Sequence, residues 1–203
     1  LWAVGDELRE WRSSLRDFAR SCHVDEDHSE QVRKLSVEIF EALEPTFAMG
    51  PRSCQMLEAA ALLHDVGYFI SYSKHHKHSY HLIRHANLFD FNPREIEIIA
   101  NIARYHRKAL PKPKHENFCR LSTRDQGLVL KLGGILRLAD GLDRRRSKVI
   151  NRLNCIMDKK QFIIDLDGED DLSVEIYGAH TKGDLFRESF DLKLVVRHNS
   201  AAA

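Results

Sequence analysis

Apolar residues recur at spacings of three and four in one segment after another up to about residue 143, and that period commits most of the chain to packed amphipathic helices. The spacing predicts a helix over about Gly5 to Cys22. A second covers about Asp25 to Glu44, with Asp25 as N-cap, acidic residues in its first turn and Pro45 as its end. Met49, Gly50 and Pro51 form a turn, and a third helix runs from about Ser53 through Asp65 to a stop at Gly67. A fourth spans a histidine-rich segment to about Leu88. A fifth begins near Asn92, with Pro93 at its first position, and ends near Tyr105. Arg107 to Leu121, with Pro111 and Pro113, reads as a long surface loop, and Ser122 to about Leu142 as the last long helix.

The period then changes. Lys160 to Leu166, Leu172 to Tyr177 and Leu192 to Arg197 read as short strands, the first two joined by an acidic loop around Gly168. The fold class expected is mainly α, a helical bundle over residues 1–155 followed by a small strand-rich lobe over 156–198. With 43% hydrophobic residues in 203, the chain can bury one good core. It opens on Leu and closes on Ser-Ala-Ala-Ala, so residues 199–203 read as a cloning scar and the chain as an excised fragment. No stretch reaches the roughly 18 apolar residues of a membrane helix. Cys22, Cys54, Cys119 and Cys155 lie far apart with no Cys-x-x-Cys pair, which points away from a zinc knuckle or redox motif and toward a reducing cytoplasm.

Three helices carry polar residues where apolar ones belong. His28 shares a face with Val32, Leu35 and Ile39. His64 lies in line with Leu57 and with Ala60 or Ala61, and Asp65 follows it. Val129, Leu132 and Leu136 lead by three and four to Asp140. Burying such groups is expensive unless they find partners, and a divalent ion would satisfy all four together. Two imidazoles and two carboxylates suit Mg, Mn, Fe, Co, Ni or Zn, with coordination positions left for water and substrate. The competing readings are a hydrogen-bonded core histidine, a helix-end cap at Asp65, and an ion pair from Asp140 to Arg137 or Arg144.

Net charge is only +1, yet basic residues dominate from Lys74 to Arg152 and acidic ones after Asp158. Lys74, His75, His76, Lys77 and His78 precede a helix, and Arg144, Arg145 and Arg146 follow Asp140 closely. Lys74, His75, Lys77, Arg144 and Arg145 are therefore the candidate phosphate-binding residues. His23, His115, His180 and His198 show no inward pattern and read as surface residues.

These residues resemble a known family. Leu63-His64-Asp65-Val66-Gly67, preceded by His28 and followed by Asp140, resembles the H...HD...D signature of HD metal-dependent phosphohydrolases. Asp27-His28-Ser29-Glu30-Gln31-Val32, the run from Gly67 through His78, and Leu136-Arg137-Leu138-Ala139-Asp140-Gly141-Leu142-Asp143-Arg144 resemble the C-terminal half of the exopolyphosphatase and guanosine pentaphosphate phosphohydrolase family. The resemblance implies metal ligation by His28, His64, Asp65 and Asp140, with Asp65 catalytic, and His78 or His106 as ligands of a second ion. It implies polyphosphate or a phosphorylated nucleotide as partner, an actin-like pair of phosphatase domains N-terminal to this region, and an activity on phosphate esters or anhydrides. The alternatives are a non-catalytic module that binds polyphosphate or nucleotide for that actin-like half, and a metal-stabilised structural or dimerisation domain, with a homodimer as a further expected partner.

Overall fold

The helical periods resolve into seven helices before residue 143 in the computed structural model, which describes residues 3–168 and 171–198. The expected scar at 199–203 and the centre of the acidic loop, Glu169 and Asp170, lie outside the described residues. Helix α1 covers Ala3–Ser21. Helix α2 covers Glu26–Phe47, and the Asp25 carboxylate accepts the backbone N–H of His28 as its N-cap. Pro45 does not end α2, contrary to expectation. It sits in the last turn, where its missing N–H forgoes only one bond. The stop comes from Ala48 in left-handed backbone, φ 45°, while the Glu44 carboxylate accepts the N–H groups of Met49 and Gly50 at 2.9 Å.

Helix α3, Pro51–Leu63, starts and stops earlier than its expected span. Asp65 is not helical: its backbone lies at φ −102°, ψ 3°, and leads into a 3-10 turn over Val66–Phe69. Helix α4 is His75–Arg84, shorter than expected, and α5 is Pro93–Arg104, opened by a reciprocal capping box between Asn92 and Glu95. The expected surface loop contains one helical turn, α6, Glu116–Cys119, whose Phe118 is buried. Helix α7, Thr123–Leu142, is capped by Ser122. It forms the axis of the fold, with α2, α3 and α5 packed against it. Val32, Leu35 and Ile39 of α2, Leu57 of α3, Ile98, Ile99 and Ile102 of α5, and Val129, Leu132 and Leu136 of α7 are fully buried.

A three-stranded sheet follows: β1, Ile150–Asp158, pairs antiparallel with β2, Gln161–Gly168, which pairs parallel with β3, Lys193–His198. Strand β1 has no counterpart in the sequence reading. Its alternation is broken by a register shift between Ile150 and Arg152. The expected strand Leu172–Tyr177 is corrected to helix. Residues Ser173–Lys182 form α8 and Asp184–Phe190 form α9. Parallel pairing of β2 and β3 requires a crossover, and Leu172, Glu175 and Ala179 bury at spacings of three and four. Side chains of α2 cover the outer edge of β1, with Gln31 donating to Ile150 O at 2.7 Å and Glu38 accepting from Leu153 N at 2.7 Å.

Both α8 and α9 also pack along α7. Gly178 and Gly141 make the close approach possible, since a Cβ on Gly178 would stand 2.1 Å from Gly141 O. Among the described residues no helix is long and apolar enough to cross a membrane.

Candidate metal centre

Two helix ends carry the same device. His64 caps α3 and His106 follows the last turn of α5, and each imidazole Nδ1 lies 2.7 Å from the carbonyl three residues back, Ala61 O and Ala103 O. A carbonyl only accepts, so each Nδ1 bears the proton and each Nε2 presents a lone pair inward. Metal-binding histidines are oriented in this way. Both rings are buried, 4.9 Å apart between centroids.

Asp65 lies between them. Its Oδ2 is 3.6 Å from His64 Nε2 and 4.0 Å from His28 Nε2, while Oδ1 is 3.2 Å from His75 Nε2 and 3.7 Å from His106 Nε2. Two sets of converging ligand atoms therefore share one carboxylate: His28, His64 and Asp65, and Asp65, His75 and His106, each set with its atoms within 4.8 Å of one another. Asp140 completes the first side, its Oδ1 3.5 Å from His28 Nε2. Asp143, one turn on, accepts His28 Nδ1–H at 2.7 Å. His28 Nε2, His64 Nε2 and Asp65 Oδ1 are all buried without an aligned hydrogen bond. Unsatisfied buried atoms are rare, and three of them converging is the arrangement a cation would resolve.

Gly67 sets this geometry. A Cβ there would stand 2.0 Å from His75 O and 2.5 Å from Ser79 N, so only glycine lets the 3-10 turn lie against α4. Gly67 N–H donates to Ser79 Oγ, which donates to His64 O at 2.6 Å, tying Asp65 to the start of α4. His75 is held beneath the ring of Tyr68 at 3.9 Å.

Burial opposes the charge of every group here, and neighbours decide which keep it. Against burial, His64, His75, His106 and Arg146 hold Asp65 well below the carboxylate range. Lys182, His28, His106 and His64 do the same for Asp140. Burial prevails at His64 and at His106, whose pKa values fall, so both stay neutral. At His28 burial is outweighed by Asp140 and Asp143, which raise it to about 9. The carboxylates already have partners from the chain: Arg146 Nη2 donates to Asp65 Oδ2 at 2.6 Å, and Lys182 Nζ donates to Asp140. Asp140 thus pairs with Lys182, and with neither Arg137 nor Arg144. Arg137 is bound to Asp184 at 2.6 Å.

A cavity of about 450 Å³ opens onto His28 and Asp140 and is lined with cations: Arg107, Lys108, Arg144, Arg146 and Lys182. The structure brings His28, His64, Asp65, Asp140 and His106 together as the sequence suggests. It does not bring His78, which is half-buried on α4 outside both ligand sets; His75, expected to bind phosphate, takes that place. Arg144 lines the cavity. Arg145 does not, because it forks onto Glu175, which is wholly buried, at 2.8 and 2.6 Å. Lys74 is exposed at the start of α4 with φ 58°, and Lys77 faces a different pocket. His23 and His180 are exposed, but His115 is half-buried and bonded to the Tyr105 hydroxyl at 2.9 Å. Sequence reading passed over Asp143, Arg107 and Lys182. Asp143 follows Asp140 by one helical turn, a signal available in the sequence.

Comparison with known proteins places this geometry in context. The chain matches the family described as Ppx/GppA phosphatase, domain III, over residues 11–180. It is 30% identical over 134 residues to guanosine-5'-triphosphate,3'-diphosphate pyrophosphatase from Pseudoalteromonas atlantica, covering 66% of this chain and 26% of that protein. It is 28% identical over 144 residues to the protein of the same name from Aeromonas salmonicida, covering 68% and 27%. The chain therefore spans about a quarter of the length of these relatives.

Proposed function

The chain belongs to the Ppx/GppA phosphatase domain III family, and from that premise we propose that it is an HD-type, metal-dependent phosphohydrolase module acting on guanosine polyphosphate or polyphosphate. The observation that carries this reading is the convergence of His28 Nε2, His64 Nε2 and Asp65 Oδ1, buried and unsatisfied, beside a cavity walled with cations. His28, His64, Asp65 and Asp140 would hold one ion, and Asp65, His75 and His106 a second. A bound divalent ion supplies Lewis acidity and lowers the pKa of water.

The chain supplies the rest. His64 and His106 are locked by Ala61 O and Ala103 O in the tautomer that offers Nε2, and Asp65 stays anionic between the two sets, the role that makes it the catalytic carboxylate. Arg107, Lys108 and Arg144 face the cavity where phosphoryl oxygens would gather charge, and fixed cations in a partly dry site stabilise that charge without reorganising. In the whole protein the module would adjoin an actin-like phosphatase half. Its four unpaired cysteines fit a reducing cytoplasm.

A specific observation favours a second reading, a binding module without its own chemistry: Arg146 and Lys182 already neutralise Asp65 and Asp140. The two are separated by assaying metal-reconstituted protein against mononucleotides, guanosine polyphosphates and short polyphosphates, with Asp65→Ala as control. Metal-dependent turnover lost in the control is expected. Binding without turnover would establish the second reading, and turnover equal in the control would remove the assignment of chemistry to this site.

A further inference from the structure

Behind the metal centre lies a second cavity of about 300 Å³, lined by His76, Lys77, Arg104, Tyr105, Lys108 and His115. His75 and His76 are adjacent on α4, yet their rings stand perpendicular with centroids 6.2 Å apart, one turned to the metal centre and the other to this cavity. Lys108 lines both cavities. Its backbone is left-handed, φ 62°, an unusual conformation for a lysine, which places it on the ridge between them.

The second cavity is built to be positive. Lys77, Arg104 and Lys108 have no carboxylate partner among the described residues. Arg104 is instead braced over the rings of Tyr80 and Tyr105, at 5.6 and 5.9 Å. His76 is more than nine-tenths buried, and its Nδ1 has no hydrogen-bond partner. Cations without carboxylate partners gathered around a buried polar atom favour an anion, and an oxyanion of high charge density suits them best.

We infer that this second cavity is an oxyanion subsite for the distal phosphates of a phosphate chain whose reacting end lies at the metal centre, with Lys108 spanning the two. The inference rests on the phosphohydrolase reading for the position of the reacting end. A chain of phosphates offers the same oxygens whether inorganic or attached to a nucleoside, so the test includes both.

Binding of orthophosphate, long-chain polyphosphate and guanosine tetraphosphate is measured by calorimetry with Mn(II) present, on wild type, Lys77→Gln, Arg104→Gln and Lys193→Gln. Lys77 is exposed, so its substitution keeps the fold intact, and Lys193 on β3 controls for loss of one charge. Lys77→Gln and Arg104→Gln are each expected to weaken long-chain polyphosphate by about tenfold while sparing orthophosphate, and Lys193→Gln to change neither. A parallel loss for guanosine tetraphosphate would extend the subsite to nucleotides; no loss there would restrict it to inorganic chains. Unchanged polyphosphate affinity in both variants, or equal loss for orthophosphate and polyphosphate, would overturn the inference. If wild type binds polyphosphate but not orthophosphate, that tells against the metal-centre reading, and weakened polyphosphate binding in Lys77→Gln and Arg104→Gln but not Lys193→Gln still supports the subsite.

Discussion

The affinity of the centre for a divalent ion is expected to rise steeply with pH, and His28 sets the slope. Burial disfavours its charge, but Asp140 and Asp143 outweigh burial and raise its pKa to about 9 from an ordinary 6.5. An imidazole must be neutral to bind a metal. At neutral pH, about two units below that value, only about one His28 in a hundred is neutral, which costs about 2.7 kcal/mol of binding. His28 dominates the slope, since Asp65 and Asp140 are held anionic and His64 and His106 are shifted toward their neutral forms. Affinity should therefore climb about tenfold per unit from about pH 6 to about pH 8, and level off near 9, with about one proton released per ion. Before an ion binds, the same raised pKa stabilises the fold at pH below 6.5, a contribution lost as pH rises through about 9. Competition against a chromophoric chelator gives the slope, and calorimetry in two buffers of different ionisation enthalpy gives the proton count. Asp143→Asn removes the carboxylate 2.7 Å from Nδ1 and should move the rise to lower pH. A flat wild-type affinity across this range, after correction for the chelator, would refute the reasoning.

Other outcomes follow from single contacts. Arg145→Ala should lower stability by about 1–3 kcal/mol in chemical denaturation, because it leaves Glu175 buried and uncompensated, yet leave phosphate binding unchanged. Gly67→Ala should cost about 1–3 kcal/mol and weaken metal binding, since the added Cβ meets the His75 carbonyl at 2.0 Å. His75→Ala should reduce metal stoichiometry at equilibrium dialysis, whereas His78→Ala should not, because only His75 lies in the second ligand set.

Much of the candidate centre is legible in the sequence because three of its candidate ligands interrupt apolar stripes: His28 on α2, His64 at the end of α3 and Asp140 on α7. His75 belongs to no stripe. Five histidines crowd His75 to His85, and only the packing of Gly67 against α4 singles out this one. His106 shares a subtler signature with His64, an alanine three residues earlier at a helix end whose carbonyl fixes the ring. Lys182 stayed hidden because Leu172 to Tyr177 alternates like a strand, and the helix there is imposed by the crossover between parallel β2 and β3. Arg144, Arg145 and Arg146 are indistinguishable as a basic run, and the neighbours each meets divide them between cavity, buried Glu175 and Asp65.

The central claim is that His28, His64, Asp65 and Asp140 hold a divalent ion, and the most direct test is metal stoichiometry. Wild type, His64→Ala and Asp140→Ala are dialysed against Mn(II), analysed for bound metal, and compared by far-UV circular dichroism. Wild type is expected to retain at least one equivalent and both variants to lose the ion held by His28, His64, Asp65 and Asp140, with helical content preserved. Wild-type levels of metal in both variants, or none in the wild type, would contradict the account.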